Sequence, residues 1–313
     1  MIRLASIQSL VCIALLFFLN ACGGSGSSGS TDGNTQLACG SIGLPTKIIN
    51  GQTCGGTANA PVARVMALVQ AYGELHPVPI CSGSHITNEI VLTAAHCFIP
   101  EIEGYPVVGY GIYQGDPGVG QYVNGVGFAV PDSYHYNPSV GRVFDDAALI
   151  LLERSVPNPV LPLLTSRAPL PGEPGFVYGY GARGVAGQQA DFASLEAGAM
   201  TVAEVTQNHL FAVFDGSGVN VCNGDSGGPL VVMVNGQPAL AGLTSQGSVV
   251  GCVAGDVTTF TNIHSPGVFD WLINIVPNAL ARSNFETQAD DFMSFSEIVE
   301  EMALRGDTAE MWK

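Results

Sequence analysis

Short apolar runs broken by Gly, Pro and Asn clusters recur along most of this chain, and few carry the three-and-four spacing of a helix. Between about 61 and 160 the runs Val62 to Val69, Ile90 to Leu92 and Ala147 to Leu152 have strand length and predict an antiparallel barrel. A second set, Gly175 to Tyr180, Ala199 to Val205, Leu230 to Val234 and Ala239 to Thr244, predicts a second barrel. Helical periodicity enters late: after Pro266, apolar residues at 268, 269, 272, 275 and 276 share one helix face. Further on, Phe292, Phe295, Val299 and Met302 fall three or four apart, and Ser294 with Glu297 has the form of a capping box. Residues 281–313 therefore read as an extension with an amphipathic helix, which either packs on its own domain or docks a partner.

Ahead of the strands, Arg3 and an apolar stretch from Leu10 to Leu19 lead to Leu19-Asn20-Ala21 directly before Cys22. This segment resembles a bacterial lipoprotein signal: 1–21 would be removed and Cys22 would carry lipid, with ordinary secretory cleavage as the competing reading. The Gly/Ser run from Gly23 to Ser30 has no core of its own and would act as a flexible tether between membrane and domain. Export follows from either reading, with a lipid-anchored place in the cell envelope in the first and secretion in the second. Ten basic against 26 acidic residues argue against a nucleic-acid partner, since phosphate recognition needs the opposite balance. Of eight cysteines, Cys12 leaves with the signal and Cys22 takes the lipid; the remaining six suit three disulfides in an oxidising compartment. No cysteine pair has the two-residue spacing of a metal knuckle, so neither a metal nor any other cofactor is expected.

The chemistry lies in three short motifs. Gly224-Asp225-Ser226-Gly227-Gly228-Pro229 sets a serine among glycines whose backbone can approach a reacting carbonyl. Thr93-Ala94-Ala95-His96-Cys97 offers an imidazole, and Asp145-Asp146 a carboxylate at the head of an apolar strand. Their chain order is His, Asp, Ser, which differs from the Asp, His, Ser of subtilisins and the Ser, Asp, His of α/β-hydrolases. Cys81 stands fifteen residues before His96, Cys97 follows it directly, and Cys222 lies four before Ser226.

On these motifs, residues 48 to 280 resemble the chymotrypsin/trypsin-like serine proteases. The resemblance implies an all-β fold of two packed antiparallel six-stranded Greek-key β-barrels with a C-terminal helix, and a serine endopeptidase acting on proteins or peptides. It implies Ser226 as nucleophile, His96 as general base and Asp146 as the group that holds the ring, with the Gly224 and Ser226 amides as oxyanion hole. Asp145 is the rival carboxylate and is expected at a solvated strand edge. Disulfides Cys81 with Cys97 and Cys222 with Cys252 are implied, which leaves Cys39 and Cys54 for each other. Residues 22–47 would be a tether and pro-segment ending at Lys47, cut by a protease with basic P1 specificity. The freed Ile48 ammonium would then pair with Asp225. Tyr178-Gly179-Tyr180-Gly181 resembles a family turn and is read as packing.

By the same resemblance the primary specificity pocket is built from Asn220, Ser245, Gly247 and Thr258. Asn220 stands six residues before Ser226, where trypsin-like enzymes carry aspartate, and Thr258 occupies a wall position where glycine is usual. Small or medium neutral P1 residues are then expected, unless Asp256, two residues before Thr258, supplies a negative charge from the side. Two readings compete with the enzyme: a catalytically silent protease-like binding module, and a surface adhesin that uses the fold as scaffold.

Overall fold

A computed structural model describes residues 39–42, 53–54, 57–182, 194–214, 219–249 and 252–276, with 293, 294, 297 and 300. Cys22, Lys47 and Ile48 lie outside the described residues. In the first half, β1 (Val62–Ala71), β2 (Glu74–His85), β3 (Ile90–Thr93), β4 (Glu101–Ile102), β5 (Tyr105–Gln114) and β6 (Gln121–Ala129) precede a hairpin of β7 (His135–Asn137) and β8 (Arg142–Phe144), then β9 (Ala148–Leu152). The order β1-β2-β3-β9-β6-β5 closes by pairing β5 with β1, which gives a six-stranded antiparallel barrel with β4 as a short appendage.

The second half comprises β10 (Pro174–Gly179), β11 (Glu196–Thr201), β12 (Glu204–Val205), β13 (His209–Val213), β14 (Pro229–Val234), β15 (Gln237–Gly247) and β16 (Val257–Asn262). They pair in the order β11-β10-β14-β15-β16-β13-β12, and the ends of this sheet are not joined among the described residues. The protein is all-β, as expected, with one closed barrel and one half-closed partner.

Strand periodicity explains the unbroken apolar runs. In β9 every residue is buried, because alternate side chains enter different cores. Ala148, Ile150 and Leu152 fill the first barrel beside Val65, Ile112 and Phe128. Leu149 and Leu151 face the other way, into a core shared with Val231, Leu240 and Leu243 of the second sheet. That shared core joins the two halves and places the ends of β3, β9 and β15 side by side.

The closing helix α1 (Pro266–Ile275) adds Val268 and Leu272 to the same core. Its start follows from sequence: Ser265 caps it by accepting from Val268 N at 3.2 Å, and Pro266 sits where its missing N–H is harmless. Ser294 and Glu297 form the expected reciprocal cap, with Ser294 N donating to Glu297 Oε2 at 2.7 Å and Glu297 N to Ser294 Oγ at 3.4 Å. Just before it, Met293 and Phe128 exchange both backbone hydrogen bonds at 2.8 Å, so at this point the extension packs on its own domain.

Candidate active site

Strand β3 ends at Thr93, and the chain turns through a single 3₁₀ turn, Ala95–Cys97, that carries His96. The Cys81–Cys97 disulfide ties this turn to β2, while Thr93 Oγ1 donates to Ser82 O at 2.8 Å. Asp146 stands just before β9, which pairs with β3 in a register that sets Thr93 opposite Ala148. Two motifs about fifty residues apart in sequence are therefore neighbours because of strand pairing.

Their contact is close and directional. His96 Nδ1 lies 2.6 Å from Asp146 Oδ2, and His96 N donates to Asp146 Oδ1 at 2.9 Å. Ser245 Oγ donates to Asp146 Oδ2 at 2.6 Å. Asp146 is fully buried and His96 nearly so. Burial pushes the Asp146 carboxyl up, but the charge and hydrogen bonds of His96, joined by Ser245, hold it below the usual carboxylate range. An ionised acceptor at Nδ1 keeps the ring proton there and leaves the Nε2 lone pair as the base.

Ser226 is half-buried at the start of the segment leading into β14. Its carbonyl accepts from Ser82 N at 2.8 Å, and Gly227 N donates to Thr244 O at 2.8 Å. Gly227 has φ +73, and a Cβ there would overlap Thr93 Oγ1, so only glycine lets this loop lie against β3. The amides of Gly224 and Ser226 donate to no protein group among the described residues.

Ser82 was not legible as a site residue. Besides holding the Ser226 carbonyl, its hydroxyl donates to Gly224 O at 2.9 Å and accepts from Tyr180 N at 3.0 Å. One small side chain of the first barrel thus anchors both the nucleophile loop and the end of β10. Its only sequence signal is its place beside Cys81.

Asp225 is buried against the segment read as packing, whose Tyr178 and Tyr180 do pack into the shared core. Its carboxylate accepts from Gly181 N and Cys222 N, both at 2.8 Å. Burial pushes its pKa up to about 6, and the two backbone donors oppose the shift. A Cβ on Gly179 or Gly181 would run into the carboxylate. Gly179 and Gly181 therefore shape the Asp225 recess. Gly179→Ala is expected to destabilise the protein by about 2–3 kcal/mol through overpacking, seen as a lower denaturation midpoint in urea.

Asp145 also differs from expectation. It is only 6% exposed, adopts φ 50, and accepts from Ser265 Oγ at 2.6 Å. It ties the head of β9 to the cap of α1, and the left-handed turn at Asp145 sends the next carboxylate to His96.

The proposed pocket residues divide by role. Ser245, expected in the wall, turns its hydroxyl to Asp146. Asn220 is half-buried and donates from Nδ2 to Asp256 Oδ2 at 3.0 Å, while Thr258 Oγ1 donates to Asn220 Oδ1 at 3.0 Å. Gly247 is exposed and pairs with Thr258 across β15 and β16. The disulfides Cys39–Cys54 and Cys222–Cys252 are present with Cys81–Cys97, as the resemblance implied.

A closed barrel and a half-closed one that share a core, a buried imidazole held by a carboxylate, and a glycine-rich serine loop packed against β3 fit the chymotrypsin-like class of serine hydrolases. The trypsin family model matches residues 48–272, and the chain belongs to that family as a serine endopeptidase. It is 30% identical over 218 residues to chymotrypsin-like elastase family member 1 of Bos taurus, covering 63% of this chain and 78% of that protein. The Homo sapiens counterpart is 31% identical over 220 residues, 63% of this chain and 81% of its own length. Coagulation factor IX of Oryctolagus cuniculus is 28% identical over 211 residues, 62% and 73% respectively.

Proposed function

We propose that the protein is an exported, lipid-tethered endopeptidase, made as a zymogen, in which Ser226, His96 and Asp146 act as one catalytic unit. The buried His96–Asp146 pair, braced by Ser245, is the observation that carries the reading. Ser226 Oγ attacks the scissile carbonyl and passes its proton to His96 Nε2, and the amides of Gly224 and Ser226 receive the oxyanion. His96 then protonates the leaving amine. Water, deprotonated by the same ring, releases the acyl group, and Asp146 stays ionised throughout. A fluorophosphonate probe should label Ser226 after cleavage at Lys47 and label it far less before. Equal absence of labelling in both forms would remove the proteolytic reading.

Activation rests on the buried Asp225, which meets no cation among the described residues. An α-ammonium on Ile48, freed by a protease with basic specificity, would pair with it and order the oxyanion loop. Because the Asp225 pKa is raised in the uncleaved fold, its contribution to stability is complete below about pH 4 and is lost as pH rises through about 6. The loss amounts to about 3 kcal/mol at roughly 1.4 kcal/mol per pKa unit. An added cation offsets that loss only where the carboxyl is ionised. Cleavage after Lys47 should therefore raise stability more at pH 8 than at pH 5, measured by urea denaturation of both forms.

Cys39 and Cys54 flank the proposed cut, and their disulfide would retain the tether after activation. The cleaved protein should run as one band without reductant and two with it. Three disulfides suit an oxidising compartment and support export. Anchoring through Cys22 predicts that Cys22→Ser converts a membrane-bound product into a soluble one.

A further inference from the structure

Asp256 is a buried carboxylate that the catalytic steps do not use. It is 1% exposed, and all its hydrogen bonds come from neutral groups. Oδ1 accepts from Ser248 N at 2.7 Å, Ser248 Oγ at 3.1 Å and Val249 N at 3.1 Å. Oδ2 accepts only from Asn220 Nδ2, at 3.0 Å. No cationic side chain meets Asp256 among the described residues.

The position of this charge matters more than its burial. Asn220 lies six residues before Ser226 and is partly open, and its Oδ1 takes a single donor, Thr258 Oγ1. Asp256 Oδ2 and Asn220 Oδ1 therefore each keep an acceptor direction beyond their present bonds. On the other side the carboxylate lies against exposed Gly247, where a Cβ would stand 3.1 Å from Oδ2. The Cys222–Cys252 disulfide holds the Asn220 segment to the β15–β16 turn that carries Asp256.

We propose that Asp256, acting with Asn220, is the specificity-determining charge of the substrate pocket and directs cleavage after lysine or arginine; this rests on the endopeptidase reading of Ser226. A buried carboxylate held only by neutral donors gains strongly from a cation, and a basic P1 side chain entering past Asn220 would meet both acceptors. A neutral P1 residue gains only apolar contact, and an acidic one is repelled. The expectation of neutral P1 residues came from Asn220 and Thr258 and left a charge from Asp256 open; the Asn220–Asp256 hydrogen bond favours that open alternative. A second copy of the chain then meets the requirement for an activator with basic specificity.

The test uses trypsin-cleaved enzyme, freed of trypsin, and peptides that differ only at P1 as Lys, Arg, Ala or Glu. Wild type should give the highest kcat/KM with Lys or Arg and the lowest with Glu. In Asp256→Asn the ratio of Lys to Ala cleavage should fall on the order of 100-fold. Fluorophosphonate titration counts competent sites in each preparation, so a folding defect does not enter the ratio. If Asp256→Asn does not fold, wild type decides: benzamidine should inhibit competitively and neutral benzamide should not. Labelled wild-type enzyme that prefers Ala, an unchanged ratio in the variant, or equal inhibition by both probes would overturn this inference alone. Enzyme that neither labels nor cleaves any peptide would overturn the endopeptidase reading beneath it.

Discussion

Ser226→Ala should lower kcat/KM for a peptide substrate by at least about four orders of magnitude, with the fold intact. The serine is half-buried, and its loop is held by the backbone of Ser82 and Thr244, so loss of one hydroxyl leaves those contacts in place. His96→Ala should cost a similar factor, and the double variant little more, because attack and proton transfer are one event. Near-additive losses would show that the two residues do not work together. Unchanged near-ultraviolet dichroism in the variants, beside the kinetics, separates lost chemistry from lost structure.

Asp146→Asn should reduce kcat/KM by roughly 10⁴-fold at neutral pH. The carboxylate now accepts from His96 Nδ1, His96 N and Ser245 Oγ. An asparagine amide can present a donor to Nδ1, which moves the ring proton to Nε2 and removes the lone pair that Ser226 needs. Since the Asp146 pKa is held low, the carboxylate remains charged as the solution is mildly acidified. The acid limb of the wild-type kcat/KM profile, measured between pH 4 and 9, should therefore show no proton taken up by Asp146 and fit about one proton in all. A limb needing two protons would show that Asp146 titrates in the same range.

The legible features were those that local chemistry forces into short stretches. A nucleophile loop needs glycines beside its serine, and a strand buried on both faces needs an unbroken apolar run such as Ala148 to Leu152. A helix can open on proline, so Pro266 and the apolar spacing after it marked the start of α1, while the cap by Ser265 came from the structure. The pairing of His96 with Asp146 was open only to resemblance, because the register of β3 against β9 appears in neither motif taken separately.

Position in the folded molecule decided the rest. Ser82 and Gly224 are 142 residues apart, and nothing near either signals that one hydroxyl ties a barrel to the nucleophile loop. Gly179 and Gly181 read as a turn until Asp225 lies against them, and Asp145 read as solvated until Ser265 covers it. By itself the chain's order determined which strands, turns and reactive groups exist, since these follow from side-chain period, backbone freedom and residue chemistry. Tertiary structure decided which buried carboxylate faces a histidine, which a helix cap and which Asn220, because burial and hydrogen-bond partners arise only where distant segments meet.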